Sequence, residues 1–482
     1  MSPKKDSKAR TLVMKFGGTS VGTPQAMGGA AGIVKQAKAE WPRLIVVTSA
    51  LSGVTNLLLE SAARAVKGDL SSITQAEDRL RQMHYEIADA LVKDPARCIQ
   101  AKQEVGLLIA EFLSLCRAIA VLGEATPRAL DAIASLGERM SIRLLAPAVE
   151  ALGVPAQYVE STQLVLTDNV FQNAHPDMAA TSRQTHLVLE PLLAEGKVPV
   201  ITGFIGATPE GIITTLGRGG SDYSAAILAE AIGADDCWIW TDVDGVMTAD
   251  PRLVPNARTI PELTYREVAE LAYFGAKVLH PKTILPVVEA GIGLRICNTF
   301  NPAHPGTRLV AAPRGGKVAD KHVAKAVTAI RKQRLVTVEG RGMVGVPGVA
   351  ARTFGAVAST GTSVPLITQA SSEQSICFAV PEESADRVLK ALEAAFSAEL
   401  SAQDVDRMWA TDEVAIITVV GEGMIHTPGV AGRIFGALGQ RSLNVIAIAQ
   451  GSSEVSISLV VTASDAGAAV QALHELILNG EA

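Results

Sequence analysis

The chain has 482 residues, 48% apolar and 19% charged, with 42 glycines and a formal net charge of −6. That length exceeds one average core and predicts two or more domains, and the composition is that of a globular chain, neither disordered nor fibrous. The charge leaves no basic footprint for nucleic acid or an anionic membrane, so neither is an expected partner.

Cys98, Cys116, Cys237, Cys297 and Cys377 are scattered and form no Cys-x-x-Cys pair. This argues against a disulfide framework or structural zinc and for a reducing cytoplasm. The basic N-terminus leads into a short strand rather than a signal-type apolar region. No apolar run is read as approaching the ~20 residues that span a bilayer.

Over the first 300 residues or so, short β-type apolar runs (11–16, 44–48, 198–205, 237–241) alternate with helix-like stretches (61–66, 99–121, 132–152). Alternation of this kind predicts an α/β domain whose mostly parallel sheet is covered on both faces. The Pro/Gly-bearing stretch 301–317 reads as a linker. Beyond it lies an internal repeat: residues 340–380 align without a gap on 421–461, with about half of the positions identical. Pro347-Gly348-Val349-Ala350 matches Pro428-Gly429-Val430-Ala431, and Ser371-Ser372-Glu373 matches Ser452-Ser453-Glu454. Each copy reads strand, turn, helix, strand, turn, strand, helix, with a proline at the expected start of the first helix. Two copies make a paired module rather than a solenoid. The second copy runs out before a fourth strand, and the alternating run 323–330 is the expected donor, which would insert the first module within the second.

Several segments can carry chemistry. Lys15-Phe16-Gly17-Gly18-Thr19-Ser20 follows the first strand, where glycine amides and a lysine suit an anion; a tight strand–helix turn is the other reading. Thr23-Pro24 reads as a helix cap and first-turn proline. Gly217-Arg218-Gly219-Gly220-Ser221-Asp222 opens a helix closed by Gly233. Ser221 is the expected cap, Arg218 suits a carboxylate, and Asp222 suits the first turn. Thr241-Asp242-Val243-Asp244-Gly245 ends an apolar strand, where open α/β sheets bind ligands, although Asp244-Gly245 also reads as a plain turn. Arg252 and Lys277 are cations downstream, and Thr264 to Glu267 has capping-box spacing for the helix expected to carry Lys277. A solvated helix-end charge is the bland reading of Lys277. Glu138 is read by default as a surface salt-bridge partner of Arg139 or of a neighbouring turn, segment 48–56 as a polar strand-end loop, and His280 as structural. No Walker or protein-kinase motif is present, so those phosphate loops are excluded.

Taken in order, Lys-Phe-Gly-Gly-Thr-Ser at 15–20, Gly-Glu-Arg at 137–139, Gly-Arg-Gly-Gly-Ser-Asp at 217–222, Thr-Asp-Val-Asp-Gly-Val at 241–246 and Phe-Gly-Ala-Lys-Val-Leu-His-Pro at 274–281 resemble the aspartate kinase family. The repeat resembles that family's tandem ACT modules. The resemblance covers essentially the whole chain. It implies an amino-acid-kinase-type three-layer domain at 1–310, a linker at 311–322, a ferredoxin-like βαββαβ ACT module at 323–410 (323–332 being a strand of the second), and another at 411–482.

The implied reaction is MgATP-dependent phosphorylation of L-aspartate to 4-phospho-L-aspartate, the first step of lysine, threonine and methionine biosynthesis. By resemblance, Lys15, Gly17 and Gly18 meet the transferring phosphoryl group and Asp222 orients Lys15. Arg218 takes the aspartate α-carboxylate, Glu138 its ammonium, and Ser49, Thr55 and Ser221 complete that pocket. Thr241, Asp242, Arg252 and Lys277 contact ATP. The family commonly has tyrosine where this chain has Met247, which must replace it by apolar packing. Gln369 and Gln450 are the implied effector contacts. The effector is expected to be threonine first and lysine second, because 366–369 and 447–450 look like the threonine-sensitive, dehydrogenase-fused kinases. With 482 residues no fused dehydrogenase is expected. A homodimer or larger assembly through the ACT modules is. The rival readings are another amino-acid kinase of the same fold and a non-catalytic amino-acid sensor.

Overall fold

The computed structural model describes residues 10–276, 279, 281–311, 323–343, 345–369 and 374–480. Lys277, His280 and the repeat residues Ser371, Ser372 and Glu373 lie outside them. The chain divides into two compact units: residues 1–246, 261–263 and 279–311 form the first, and 247–260, 264–278 and 312–482 the second. Two stretches inside the span read as catalytic, 247–260 and 264–278, therefore cluster with the C-terminal unit.

In the first unit β1 (Thr11–Phe16), β2 (Arg43–Thr48), β3 (Ala156–Val159), β4 (Val198–Thr202), the short pair β5 (Ile205–Ala207) and β6 (Ile213–Thr215), β7 (Asp236–Thr241), β8 (Glu262–Thr264), β9 (Gly293–Asn298) and β10 (Thr307–Val310) follow in chain order. The main sheet runs β3-β4-β2-β1-β7-β9-β10-β8. It is parallel from β3 through β9, and β10 joins antiparallel. β1 is buried at every residue, as expected of a central parallel strand covered on both faces. Register brings Phe16 beside Thr48 and Trp240, and Thr48 beside Thr202. The carboxyl ends of four strands thus open at one level, with β1 flanked by β2 on one side and β7 on the other, which is where ligands bind in open α/β sheets.

Two predicted boundaries change. The run 198–205 is two strands, broken at Gly203 and at Phe204, whose φ of 69° is left-handed. The expected linker contains β10. Thr23 caps helix Pro24–Glu40 through the Ala26 amide, as the sequence predicts.

Helices Val54–Val66, Leu70–Leu91, Pro95–Leu122 and Pro127–Glu150 follow β2 and join the main apolar cluster. Helix Pro95–Leu122 corrects the bilayer reading, because by length and composition alone it could cross a membrane. Its Val105, Leu108, Ile109, Phe112, Cys116 and Ile119 are buried in that cluster, the stripe spacing of a helix packed on a protein core.

In the second unit the 14-residue β11 (Ala326–Glu339) serves both repeats. Its first half pairs antiparallel with β15 (Val414–Val420); its second half pairs with β13 (Ser375–Pro381) and β14 (Arg407–Ala410). The register shifts between Ile330 and Gln333, where Lys332 is left-handed (φ 55°). With β12 (Leu366–Gln369), β16 (Ala447–Gln450) and β17 (Ser456–Thr462), the order is β12-β13-β11-β15-β17-β16. Segment 326–330 is thus the strand beside β15 that the second repeat lacks. The matching helices Val349–Ser359 and Val430–Gln440 begin after left-handed Gly348 and Gly429. Pro347 and Pro428 therefore sit in the preceding turns rather than in the first helical turn. The result is an antiparallel sheet of ferredoxin-like βαββαβ pairs, as the resemblance implies.

Candidate active site

The aligned strand ends open into a cavity of about 590 Å³, lined among others by Lys15, Gly17, Gly18, Ser49, Thr55, Glu138, Arg218, Ser221, Asp222, Thr241 and Asp242. Lys15 and Thr241 stand at the carboxyl ends of β1 and β7, the others lie in the loops or helix starts that follow β1, β2, β6 and β7, and Glu138 is inside helix Pro127–Glu150. Thr19, Ala50, Leu51, Ser52, Gly53, Asn56 and Phe204 line it as well. Most of these lie within the two motif segments the sequence marks. Phe204 carried no sequence signal, because its place depends on the left-handed break after β4.

Lys15, at 8% exposure, closes an ion pair with Asp222 at 2.6 Å. Asp222 sits in the first turn of helix Gly220–Ile232, where the helix dipole favours a carboxylate. The predicted Ser221 cap is not formed: left-handed Gly219 is the N-cap, without a side-chain bond, and Ser221 lies inside the helix. The Gly17 amide is also committed elsewhere, donating to the Trp240 carbonyl at 3.1 Å. Gly18 and Thr19, opening the one-turn helix Gly18–Val21, are the next amides on the cavity wall.

Glu138 departs furthest from expectation. Arg139 pairs with Glu111 and Glu160 rather than with Glu138, which is buried at 3% exposure. Gly137 makes this possible: a Cβ there would lie 2.7 Å from the Ala50 Cβ, so only glycine lets the helix approach the loop after β2. Burial pushes the Glu138 carboxyl up from 4.5 to about 8, with the Ala50 amide, its own amide and the Lys15 charge pulling the other way. Its Oε2 has no hydrogen-bond partner among the described residues. A buried acceptor without a partner is costly, and here it faces the cavity.

The remaining predicted residues lie in the second unit. Arg252 is held by Asp250 of its own loop at 2.6 Å. Met247 bridges to Thr259, whose hydroxyl donates to the thioether at 3.6 Å, so its surroundings are not purely apolar. Thr264 and Glu267 form the predicted capping box, but that helix ends at Tyr273, short of Lys277. Gln369 lines a cavity of about 340 Å³ with Met343, Val346, Pro347, Gly348 and Ile376. Gln450 ends β16, the edge strand equivalent to the one that Gln369 ends.

Residues 10–298 match the amino acid kinase family, and residues 336–396 and 417–476 match the ACT domain. The chain is 38% identical over 465 residues to the chloroplastic bifunctional aspartokinase/homoserine dehydrogenase 1 of Zea mays, which covers 96% of this chain and 50% of that protein. E. coli aspartokinase III solved with aspartate and ADP is 33% identical, with a TM-score of 0.77 over 97% of this chain and 100% of that one. The same enzyme solved with lysine and aspartate is 34% identical, with a TM-score of 0.77 over 97% and 99%. The chain spans about half the length of the bifunctional curated relatives it matches.

Proposed function

Because this chain belongs to the amino acid kinase family, and within it to the aspartokinases, we propose that it transfers the γ-phosphoryl group of MgATP to the side-chain carboxylate of L-aspartate. The observation that carries the reading is the charge layout of one cavity: exposed Arg218, buried Glu138 with its unpartnered Oε2, and the Lys15–Asp222 pair. An amino acid needs a cation for its carboxylate and an anion for its ammonium. Arg218 supplies the first as a planar fork, and Glu138 supplies the second. The E. coli relative holds aspartate and ADP.

The chemistry asks little of a proton-transfer residue. A carboxylate of pKa near ~3.9 is already ionised at neutral pH. Its oxygen forms the new bond to the γ-phosphorus while the bond to the bridging oxygen breaks and ADP leaves with the electron pair. Catalysis then rests on alignment and on neutralising charge. Lys15, oriented by Asp222, is the cation for the transferring group, with the Gly18 and Thr19 amides beside it; Thr241 and Asp242 lie on the nucleotide side, and Arg252, Met247 and Lys277 complete the set proposed for ATP. Ser49, Thr55 and Ser221 complete the aspartate pocket. The Mg²⁺ of this proposal is carried mainly by the phosphates, as is usual for that ion.

Regulation by an end-product amino acid belongs to the same proposal, with Gln369 and Gln450 as contacts. Threonine is the first candidate and lysine, which the E. coli relative holds, the second. The edge strands β12 and β16 expose Ile367 and Ile448, which supports a homodimer or larger assembly that covers them. All five cysteines are unpaired thiols, which supports a cytoplasmic setting.

The test is ADP release from MgATP with and without L-aspartate, in the wild type and in Lys15→Ala and Asp222→Ala. Aspartate-dependent turnover lost in both variants is the expected result. Turnover only with another acceptor overturns the substrate, and no turnover with any acceptor overturns the kinase. Millimolar threonine and lysine, added separately, test the effector; indifference to threonine removes the first candidate.

A further inference from the structure

Asp131 belongs to none of the sequence motifs, yet it is a carboxylate at 1% exposure in the first unit. It sits near the start of helix Pro127–Glu150 and faces two other segments. The Gln172 amide donates to both of its oxygens, at 3.2 and 3.0 Å. The Thr215 amide donates to Oδ2 at 2.9 Å and the Thr215 hydroxyl to Oδ1 at 2.8 Å. One side chain therefore ties a loop and the end of β6 to the helix.

What leaves that frame is the Arg218 loop. Thr215 is the last residue of β6, three positions before Arg218. The Ala174 amide donates to the Thr215 carbonyl and the Leu216 amide to the Phe204 carbonyl, both at 2.9 Å. Gly217 then turns with φ 76° against the loop: a Cβ there would lie 2.9 Å from Asn173 Oδ1 and 3.1 Å from the Gln172 carbonyl. Arg218 is held between this glycine and left-handed Gly219, φ 71°. Gln172 itself is left-handed, φ 68°, a conformation a non-glycine residue keeps only where its surroundings hold it.

We propose that Asp131 is a positioning residue that places Arg218 for the substrate α-carboxylate. The inference rests on the reading of Arg218 given above. Asp131 and Glu138 are seven residues apart on one helix, hence on the same face and about 10 Å apart along the axis. The helix acts as a ruler: one end presents Glu138 to the ammonium group, and the other anchors the loop whose guanidinium takes the carboxylate. Substrate binding is the step that depends on this spacing, because the α-carboxylate is remote from the reacting oxygen. A loosened frame would have to be ordered at each binding event, and interactions shared by ground and transition states appear in KM rather than kcat.

The experiment compares steady-state kinetics of the full chain as wild type, Arg218→Ala, Asp131→Asn, Thr215→Val and Thr215→Ser. Asp131→Asn keeps the shape but sets an amide NH₂ against backbone donors; Thr215→Val removes only the hydroxyl donor, and Thr215→Ser restores it. The expected result is an aspartate KM raised roughly tenfold or more in Arg218→Ala and Asp131→Asn and about threefold in Thr215→Val, with Thr215→Ser near wild type. The ATP KM and kcat should stay within about twofold in the Asp131 and Thr215 variants. An aspartate KM unmoved in Asp131→Asn and Thr215→Val but raised in Arg218→Ala overturns the positioning role and leaves the Arg218 reading intact. An unmoved KM in Arg218→Ala overturns both. Aspartate and ATP constants that worsen together also overturn it, since that is the mark of general structural damage. If Asp131→Asn does not fold, the valine–serine pair at 215 decides.

Discussion

Glu138→Gln should make the ligand-free protein more stable while weakening its hold on aspartate. The folded carboxyl has a pKa of about 8 against an ordinary 4.5 because it is buried. Since the folded pKa is the higher, the folded state keeps a proton that the unfolded chain releases, and stability falls as pH rises from 4.5 to 8. At pH 7 the penalty spans 2.5 pKa units, or about 3 kcal/mol at 1.36 kcal/mol per unit. Above pH 8 the charged form is present in both states and the penalty levels off at roughly 5 kcal/mol. Glutamine has the shape of the protonated acid and does not titrate, so it escapes the slope. Unfolding of the ligand-free chain, followed in urea from pH 5 to 9, should show the two proteins diverging with rising pH, the variant ahead by about 3 kcal/mol at pH 7. The same variant should bind aspartate at least tenfold more weakly, because an amide gives the ammonium group no charge. A constant stability difference across this range, or a variant weaker at every pH, would refute the argument.

Three further outcomes follow from packing and burial. Gly137→Ala places a Cβ 2.7 Å from that of Ala50 and should cost about 1–3 kcal/mol, with an aspartate KM raised by the displaced loop; an unchanged unfolding midpoint would contradict the close approach. Glu267 is fully buried and accepts bonds from the Thr264 and Glu422 amides and from Lys325, so Glu267→Ala should destabilise the second unit by about 3–5 kcal/mol, read as an earlier urea transition. His84 is fully buried, and burial lowers its pKa from 6.5 to about 4. Its folded pKa lies below the unfolded one, so stability present above pH 6.5 should be lost as pH falls toward 4. His84→Gln should flatten that acid limb; a wild-type limb unaltered in the variant would place its origin elsewhere.

The motifs legible in the sequence are those whose chemistry is local. Lys15 and its glycines mark a strand end, Asp222 falls in a first helical turn, and Thr23 and Thr264 cap helices because their hydroxyls accept from amides three residues on. Repetition made the paired modules legible, and the missing fourth strand could be counted. Turn geometry was harder to read: Pro347 and Pro428 stand ahead of their helices because glycines take the left-handed cap position, and Gly219 displaces Ser221 for the same reason.

Residue types, periodicity and spacing thus determined that the chain alternates strands with helices, repeats a module, and gathers anion-binding loops at strand ends. Tertiary structure alone decided the environments. Glu138 reads as a surface charge until Gly137 brings its helix against Ala50 and water is excluded. Asp131 reads as an ordinary carboxylate near a helix start until Gln172 and Thr215, 41 and 84 residues away in sequence, converge on it. Burial and ionisation depend on which surfaces meet through space, and no window along one strand or helix contains both surfaces.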